Sequence, residues 1–421
     1  MVAFPILHCA DLHLDSPLRG LEADPDAPAD RIRRATRDAL VNLVDMALAE
    51  QVRLVLIAGD LYDGDWQDWR TGQFLLRQIE RLTRHGIRVV AISGNHDAES
   101  IITRRLRWPD GARLLRADRA ETITFPDLGV AVHGRSYPTR HMTDNLVPGY
   151  PVALPGLLNI GLLHTAAGRP GHAPYAPCTI EQLGAHGYAY WALGHVHARE
   201  VLNRDPWIVF PGNIQGRDIG ETGAKGATLI TVRDNAIAAV EHRPLDVVRW
   251  ARIDIDLTGT ADEDAALARV RQALAEALQA ADGRLLAVRI TLQGSCPAHA
   301  ALSRSLGDTR EKLRGEAMAC GGADAIWLEH VVLATRPALD LAALGARTDM
   351  VGLLVREIEA AGAADLAAPL QSWAAGLLER AGMLRAVLGD AHPAVLAADG
   401  TLPEDFIDRA KSLLLARLAE G

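Results

Sequence analysis

Short apolar runs alternate with amphipathic stretches over the first hundred residues. Phe4 to Cys9 predicts a strand. From Arg31 to Glu50, the apolar positions Ile32, Ala35, Ala39, Leu43, Val44, Ala47 and Leu48 fall on one stripe at helical spacing, and Asp30 is the predicted N-cap. Leu54 to Ala58 predicts the next strand, Gly72 to His85 the next helix and Ile87 to Ile92 the third strand. Unbroken Leu and β-branched runs between helices are the pattern of parallel strands buried on both faces.

Beyond about residue 110 short strands dominate. They are predicted near Ile123 and at Val130 to His133, Leu157 to Leu163, Ala189 to Leu193, Ile208 to Phe210 and Thr228 to Val232. Asp234-Asn235 predicts a turn joining Leu229–Val232 to Ile237–Val240. A mixed α/β sandwich of two sheets fits this succession better than a doubly wound single sheet. Near Pro244 a smaller α/β unit begins, with strands at Ala251–Leu257, Leu285–Leu292 and Ile326–Leu333 and helices at Glu263–Ala280 and Ala300–Ala319. Helical patterns alone follow Thr348 and end in Pro403 to Leu418. The chain shows no internal repeat and no low-complexity linker, and its 421 residues exceed one compact core.

Composition narrows the class. The chain is 49% hydrophobic and 23% charged, as a globular protein is. Its apolar runs are far shorter than a membrane span needs, so no membrane partner is expected. The N-terminal segment lacks a basic region and a cleavage pattern, and Cys9, Cys178, Cys296 and Cys320 form no C-x-x-C pair. A cytoplasmic protein with reduced thiols is the expectation. The net charge of −9 is opposite in sign to that of most nucleic-acid binders, so any contact with DNA needs a local Arg patch, bound metal or a partner. Lys occurs at 225, 312 and 411 alone, which leaves the rest of the positive charge to Arg.

Five short motifs, each at the C-terminal end of a predicted strand, carry the candidate chemistry. Asp11-Leu12-His13 follows the first strand, and alternate residues of an extended segment point the same way, toward a single ion. Gly59-Asp60-Leu61-Tyr62-Asp63 follows the second, where Asp60 has two oxygens with which to bridge two cations. Gly94-Asn95-His96-Asp97 follows the third and sets an amide oxygen beside a titratable imidazole. His164 closes Leu157–Leu163, and Gly194-His195-Val196-His197 closes Ala189–Leu193. Asp11-Leu12-His13, Gly59-Asp60 and His164 are each weak signals alone, since turns and satisfied structural His produce the same patterns. Asp, Asn and His without thiolate suit manganese, iron or zinc in a reactive site better than a structural zinc cage. Paired ions of this kind clamp a phosphate and acidify a water.

This ordered set, D-x-H, G-D, G-N-H-D, H and G-H-x-H, resembles that of the calcineurin-like metallophosphoesterases over about residues 4–245. The resemblance implies a four-layer α/β/β/α sandwich. It implies one divalent ion on Asp11, His13, Asp60 and His197 and a second on Asp60, Asn95, His164 and His195, with Asp60 bridging. Manganese is the expected metal, with iron and zinc as alternatives, and His96 is the implied catalytic imidazole. The segment Pro211-Gly212-Asn213-Ile214-Gln215-Gly216-Arg217, followed by Glu221, Gly223, Lys225 and Gly226, resembles the DNA repair exonuclease branch, with SbcD-like and YhaO-like members. Asp218 departs from that branch, which often has His there.

Three regions follow from the resemblance: a nuclease domain at 1–245, a small α/β capping domain at 246–340, and a helical region at 341–421 that docks on an SMC-like coiled-coil ATPase. The implied function is metal-dependent hydrolysis of DNA, as double-stranded ends or single strands, by an exonuclease, with homodimerisation as a further partner expectation. A small-nucleotide phosphodiesterase and a non-catalytic scaffold subunit are the competing readings.

Other residues have plainer readings. His8 faces away from Asp11 as a core or supporting group, and Cys9 is a small buried hydrophobe. His133 and His172 are weak alternatives to His164. Arg104, Arg105 and Arg107 either meet a DNA backbone or form a solvated helix face. Trp66 and Trp69 stack on a base or pack under a loop, the second being favoured.

Overall fold

The computed structural model describes residues 3–16, 27–63, 69–98, 106–169, 173–322, 324–338, 341–360, 363–380, 385, 388, 392–400, 411 and 414–415. Trp66, Arg104, Arg105, His172 and most of Pro403–Leu418 lie outside them. By compactness the chain divides into two units. The first holds Met1–Arg252, Leu274–Arg289 and Ala317–His330; the second holds Ile253–Ala273, Ile290–Glu316 and Val331–Gly421.

The first unit contains two six-stranded sheets. Its early elements are β1 (Phe4–Cys9), α1 (Ala29–Ala49), β2 (Leu54–Ala58), α2 (Trp69–Arg84), β3 (Arg88–Ile92) and β4 (Ala112–Leu114). Then come β5 (Glu121–Phe125), β6 (Val130–Gly134), β7 (Leu158–His164), α3 (Ile180–Ala185) and β8 (Tyr190–Gly194). β9 (Glu200–Arg204), β10 (Trp207–Phe210), β11 (Gly226–Arg233) and β12 (Ala236–Pro244) complete it. One sheet runs β12-β11-β1-β2-β3-β4 and the other β5-β6-β7-β8-β10-β9. β1 to β4 are parallel, as are β6, β7, β8 and β10.

Alternation along each strand sorts its side chains into layers. Ile6, Leu54, Leu56, Val90 and Ile92 meet Val132, Ile160, Leu162, Tyr190 and Ala192 between the sheets. Leu7, Val55, Ile57 and Val89 face the other way, onto Leu40, Leu43, Val44, Leu75 and Ile79 of α1 and α2. Leu163, Trp191, Leu193 and Phe210 pack outward beneath Tyr137, Tyr150 and Leu183. The architecture is thus an α/β sandwich whose outermost layer, on the second sheet, is the short α3 and loops. Each fully buried aliphatic side chain contributes roughly 1.5–3 kcal/mol, so three such layers hold the strand ends rigidly.

Departures from the predicted elements are local. α1 begins at Ala29 after Pro28, so Asp30 lies in its first turn and does not cap it. The Pro28 carbonyl accepts from Ile32 N–H at 3.0 Å, the first bond of the helix, which starts it before Asp30. β4 and α3 are too short to generate a period in the sequence, and β9, Glu200–Arg204, is only half-buried and carries Glu, Asn and Arg. The predicted helix at 300–319 is two helices, His299–Arg304 and Leu306–Gly321, parted at Ser305, whose backbone is extended. The turn at Asp234 and Asn235 forms with φ of 50° and 60°, a left-handed pair these residue types tolerate.

Three further strands, β13 (Val248–Asp256), β14 (Leu285–Cys296) and β15 (Ile326–Pro337), form a separate sheet in that order. Helices Met350–Ala360, Ala363–Arg380 and Pro393–Ala398 follow. Among the described residues no helix is long and apolar enough to cross a membrane.

Candidate metal centre

The ends of β1, β2 and β3 in one sheet and of β7 and β8 in the other converge. His164, the last residue of β7, pairs opposite Gly194 at the end of β8. Beyond β1 and β2 the chains stay side by side, Asp11 N–H donating to Gly59 O and His13 N–H to Asp60 O, each at 3.0 Å. All seven residues expected from the sequence as ligands, Asp11, His13, Asp60, Asn95, His164, His195 and His197, come together here, with His96 beside them.

The groups Asp11, His13, His197 and Asp60, His164, His195 each bring their potential ligand atoms within 4.8 Å of one another. A third group, His13, Asp60 and His96, overlaps both. Asp60 joins them: its Oδ1 accepts from the main-chain N–H of His96 at 3.0 Å, and its Oδ2 lies 3.4 Å from His164 Nε2 and 3.7 Å from His13 Nε2. Asn95 Oδ1 is 3.0 Å from His164 Nε2. His13 Nε2 and His197 Nε2 face each other at 3.1 Å.

This donor set fits divalent cations. Two imidazole nitrogens at that distance need a hydrogen or a cation between them, and His13 Nδ1 is buried without a hydrogen bond. His164 donates from Nδ1 to Ala58 O at 2.9 Å, which turns the Nε2 lone pair inward. Burial works against a charge on His164, yet the Asp60 and Asp11 carboxylates outweigh it and push its pKa up to about 9. Burial likewise opposes the charge on Asp60, but the surrounding imidazoles hold its carboxyl far below the ordinary range. The cluster therefore attracts positive charge even where burial resists it.

The backbone gives way to make this arrangement. Asp11, His13, Asp60 and His195 all have positive φ, at 53°, 41°, 53° and 102°. Non-glycine residues in such conformations gather at functional sites. Gly59, at φ 95°, leaves room that a Cβ would deny, since it would stand 2.6 Å from His164 Nδ1. A Cβ on Gly94 would overlap Asp60 Oδ1 and the His164 ring. The cluster opens into a cavity of about 530 Å³ lined by Asp60, His96, His195, His197, Glu221 and Lys225, among others.

Residues 4–199 match the calcineurin-like phosphoesterase family, and residues 250–336 match the middle domain of metallophosphoesterase YhaO. The uncharacterized metallophosphoesterase YhaO of Bacillus subtilis is 35% identical over 296 residues, which are 69% of this chain and 72% of that one. This chain is a calcineurin-like metallophosphoesterase. At lower identity, 25%, a component of the nuclease SbcCD of Staphylococcus epidermidis aligns with 58% of this metallophosphoesterase and 70% of its own length. The DNA double-strand break repair protein Mre11 of Sulfurisphaera tokodaii is 28% identical, over 61% of this chain and 67% of its own. Membership implies a metal-dependent hydrolase.

Several residues of this metallophosphoesterase escape a motif-by-motif reading. Asp63 Oδ1 lies 2.8 Å from His96 Nδ1, and its Oδ2 accepts from Ser16 Oγ at 2.5 Å. Burial pulls the pKa of His96 down, but the Asp63 contact and the charges of Asp60, Asp63 and Asp97 raise it on balance. Asp97 accepts from the main-chain N–H groups of Leu61 (2.9 Å), Tyr62 (2.9 Å) and Gly94 (3.2 Å), bracing one motif against another. Burial and the Asp60 charge push its pKa up to about 7 despite those donors. Only the motif placement of Asp63 and Asp97 could have flagged them, because their partners, such as His96 for Asp63 and Leu61 for Asp97, are distant in sequence.

The remaining candidates sit elsewhere. His8, fully buried between the sheets, bonds Tyr190 Oη at 3.0 Å and Leu193 O at 3.1 Å. Cys9 is buried in the layer beneath α1. His133 bonds Thr122 and Asn159 and stacks on Tyr188. Arg107 is exposed, and Trp69 is 44% exposed, which does not fit packing beneath a loop.

Proposed function

We propose that this metallophosphoesterase is a two-metal DNA nuclease, an exonuclease acting in DNA repair in the cytoplasm, with manganese as its preferred ion. The observation that carries this reading is that Asp60 joins two groups of donors, Asp11, His13 and His197 on one side and His164 and His195 on the other with Asn95 against His164, beside a cavity that Asp60 also lines. Asp11, His13, Asp60 and His197 hold one ion; Asp60, Asn95, His164 and His195 hold the other. When bound, the ions supply Lewis-acid polarisation of a phosphodiester and make a hydroxide nucleophile accessible near neutral pH.

The chain's own residues do the rest. His96 lines the cavity and has a side-chain exposure of 35%, against 1% for His13 and Asp60, as suits a group that meets substrate. Its Nδ1 is engaged by Asp63, so Nε2 is the atom that passes a proton to the departing oxygen. Asp97 keeps the loops of Asp60 and His96 in register.

DNA as substrate is supported by the names of the SbcCD and Mre11 relatives. We assign residues 246–340 to a capping domain, a reading supported by the match over 250–336. We assign 341–421 to docking on an SMC-like coiled-coil ATPase and include homodimerisation among the partner contacts.

The test compares linear duplex DNA, single-stranded DNA and a small cyclic or dinucleotide in manganese, beside His96→Ala. Degradation of DNA from its ends, lost in the variant, is expected. Faster turnover of the small substrate than of any DNA would replace this reading with that of a nucleotide phosphodiesterase.

A further inference from the structure

The loop after β10 brings two charged side chains, Arg217 and Glu221, against the donor cluster. Glu221 Oε1 lies 2.7 Å from His197 Nδ1. The same carboxylate accepts from Asn213 Nδ2 at 2.8 Å, from Arg217 N at 2.9 Å and from Arg217 Nη2 at 2.7 Å. Arg217 then continues to the other side of the site, its Nη1 standing 3.5 Å from Asp63 Oδ2. Asp63 in turn holds His96. The chain His197, Glu221, Arg217, Asp63, His96 is continuous, and Glu221 and Arg217 are only 13% and 20% exposed.

We propose that Glu221 is the positioning residue for His197, and that Arg217 ties it to Asp63 so that His197 and His96 are oriented by one ion-pair chain. The proposal rests on the two-metal reading of the site. An imidazole gives a metal its lone pair only from the nitrogen without hydrogen, so His197 must carry its hydrogen on Nδ1 if Nε2 is to face the cluster. Two neighbours compete to set that choice. Glu221 Oε1 accepts, which requires Nδ1–H; Arg217 Nη2, 3.1 Å from the same nitrogen, can only donate, which would require a bare Nδ1 and turn an N–H on Nε2 toward His13. The Glu221 contact is the shorter, 2.7 Å against 3.1 Å, and the carboxylate carries the charge that draws the Nδ1 hydrogen. Glu221 therefore selects the tautomer, and the role of Arg217 is to fix the carboxylate in place.

The experiment uses the full chain and its Glu221→Ala, Glu221→Gln and Arg217→Met variants. Manganese titration by calorimetry counts ions and affinities, and nitrogen-15 NMR of labelled His reads the His197 tautomer without metal. Glu221→Ala is expected to weaken one of two manganese ions about 10- to 100-fold, with the other unchanged, and to lose the Nδ1–H signature. Glu221→Gln keeps an oxygen to accept from Nδ1 and should lose less, which covers the case in which the alanine variant fails to fold. Arg217→Met should lower kcat more than manganese affinity, because it frees Asp63 as well. Wild-type affinity for both ions together with an unaltered tautomer in Glu221→Ala would overturn the proposal while leaving the nuclease reading intact. A wild-type chain that binds two manganese ions yet cleaves no phosphodiester would end the nuclease reading and leave this one standing.

Discussion

His164 and His197 belong to the same array of donors but are held in different ways. His164 has its ring turned by main chain: its Nδ1 donates to Ala58 O at 2.9 Å, while the Tyr137 hydroxyl donates to its carbonyl at 2.5 Å. Gly59 and Gly94 form the walls against its ring. His197 is fixed by side chains: Glu221 and Arg217 hold its ring, and Lys225 Nζ reaches its carbonyl at 2.8 Å. The first imidazole keeps its place as long as the two sheets keep their register. The second can be loosened by a single substitution that leaves the sheets intact.

The most severe way to break this comparison is to remove what both sides share. Asp60→Asn should abolish uptake of both ions at concentrations that saturate the parent, measured as metal content after gel filtration. Retention of one ion would show that the sides do not depend on a common carboxylate. His96→Ala should leave metal content unchanged and lower phosphodiester hydrolysis about 10²- to 10⁴-fold. A parallel fall in metal content would make His96 a ligand, as its grouping with His13 and Asp60 allows.

Gly94→Ala sharpens the contrast on the main-chain side. Its methyl must displace Asp60 Oδ1 or the His164 ring, at a cost of about 1–3 kcal/mol and a melting temperature lower by several degrees. A variant that melts with the parent and binds manganese equally would mean that the walls yield. A last contrast concerns His8, which lies among the same strands without reaching the cluster and whose effect is confined to acid pH. Burial lowers its pKa from 6.5 to about 3, opposed by the Leu193 carbonyl. The native chain thus keeps His8 neutral where the unfolded chain protonates it, so its contribution is complete above pH 6.5 and is lost as pH falls toward 3. His8→Gln should flatten the stability profile in that window by up to about 1.4 kcal/mol per pH unit, read from urea melts in chelator. Parallel profiles for parent and variant would show that His8 does not titrate in this way.

The sequence made the layered core and the donors readable for the same reason. Buried strands such as Leu54–Ala58 write an unbroken apolar run, and the chemistry begins where each run stops. The supports of the site were harder to read. Glu221 contacts a residue 24 positions earlier and Asp63 one 33 positions later; both stand in motifs read from the sequence, but no spacing there tells which imidazole each one holds. The half-buried, polar-flanked β9, Glu200–Arg204, wrote no apolar run, and Asp30 was assigned a capping role although the helix begins before it, at Ala29.

Four of the donors, Asp11, His13, Asp60 and His195, hold left-handed backbone that glycine adopts freely and Asp or His resists by about 1–3 kcal/mol each. Heat resistance and chemistry therefore pull in opposite directions at these positions. Selection for thermal tolerance alone, blind to turnover, would favour glycine at these four positions of the cluster.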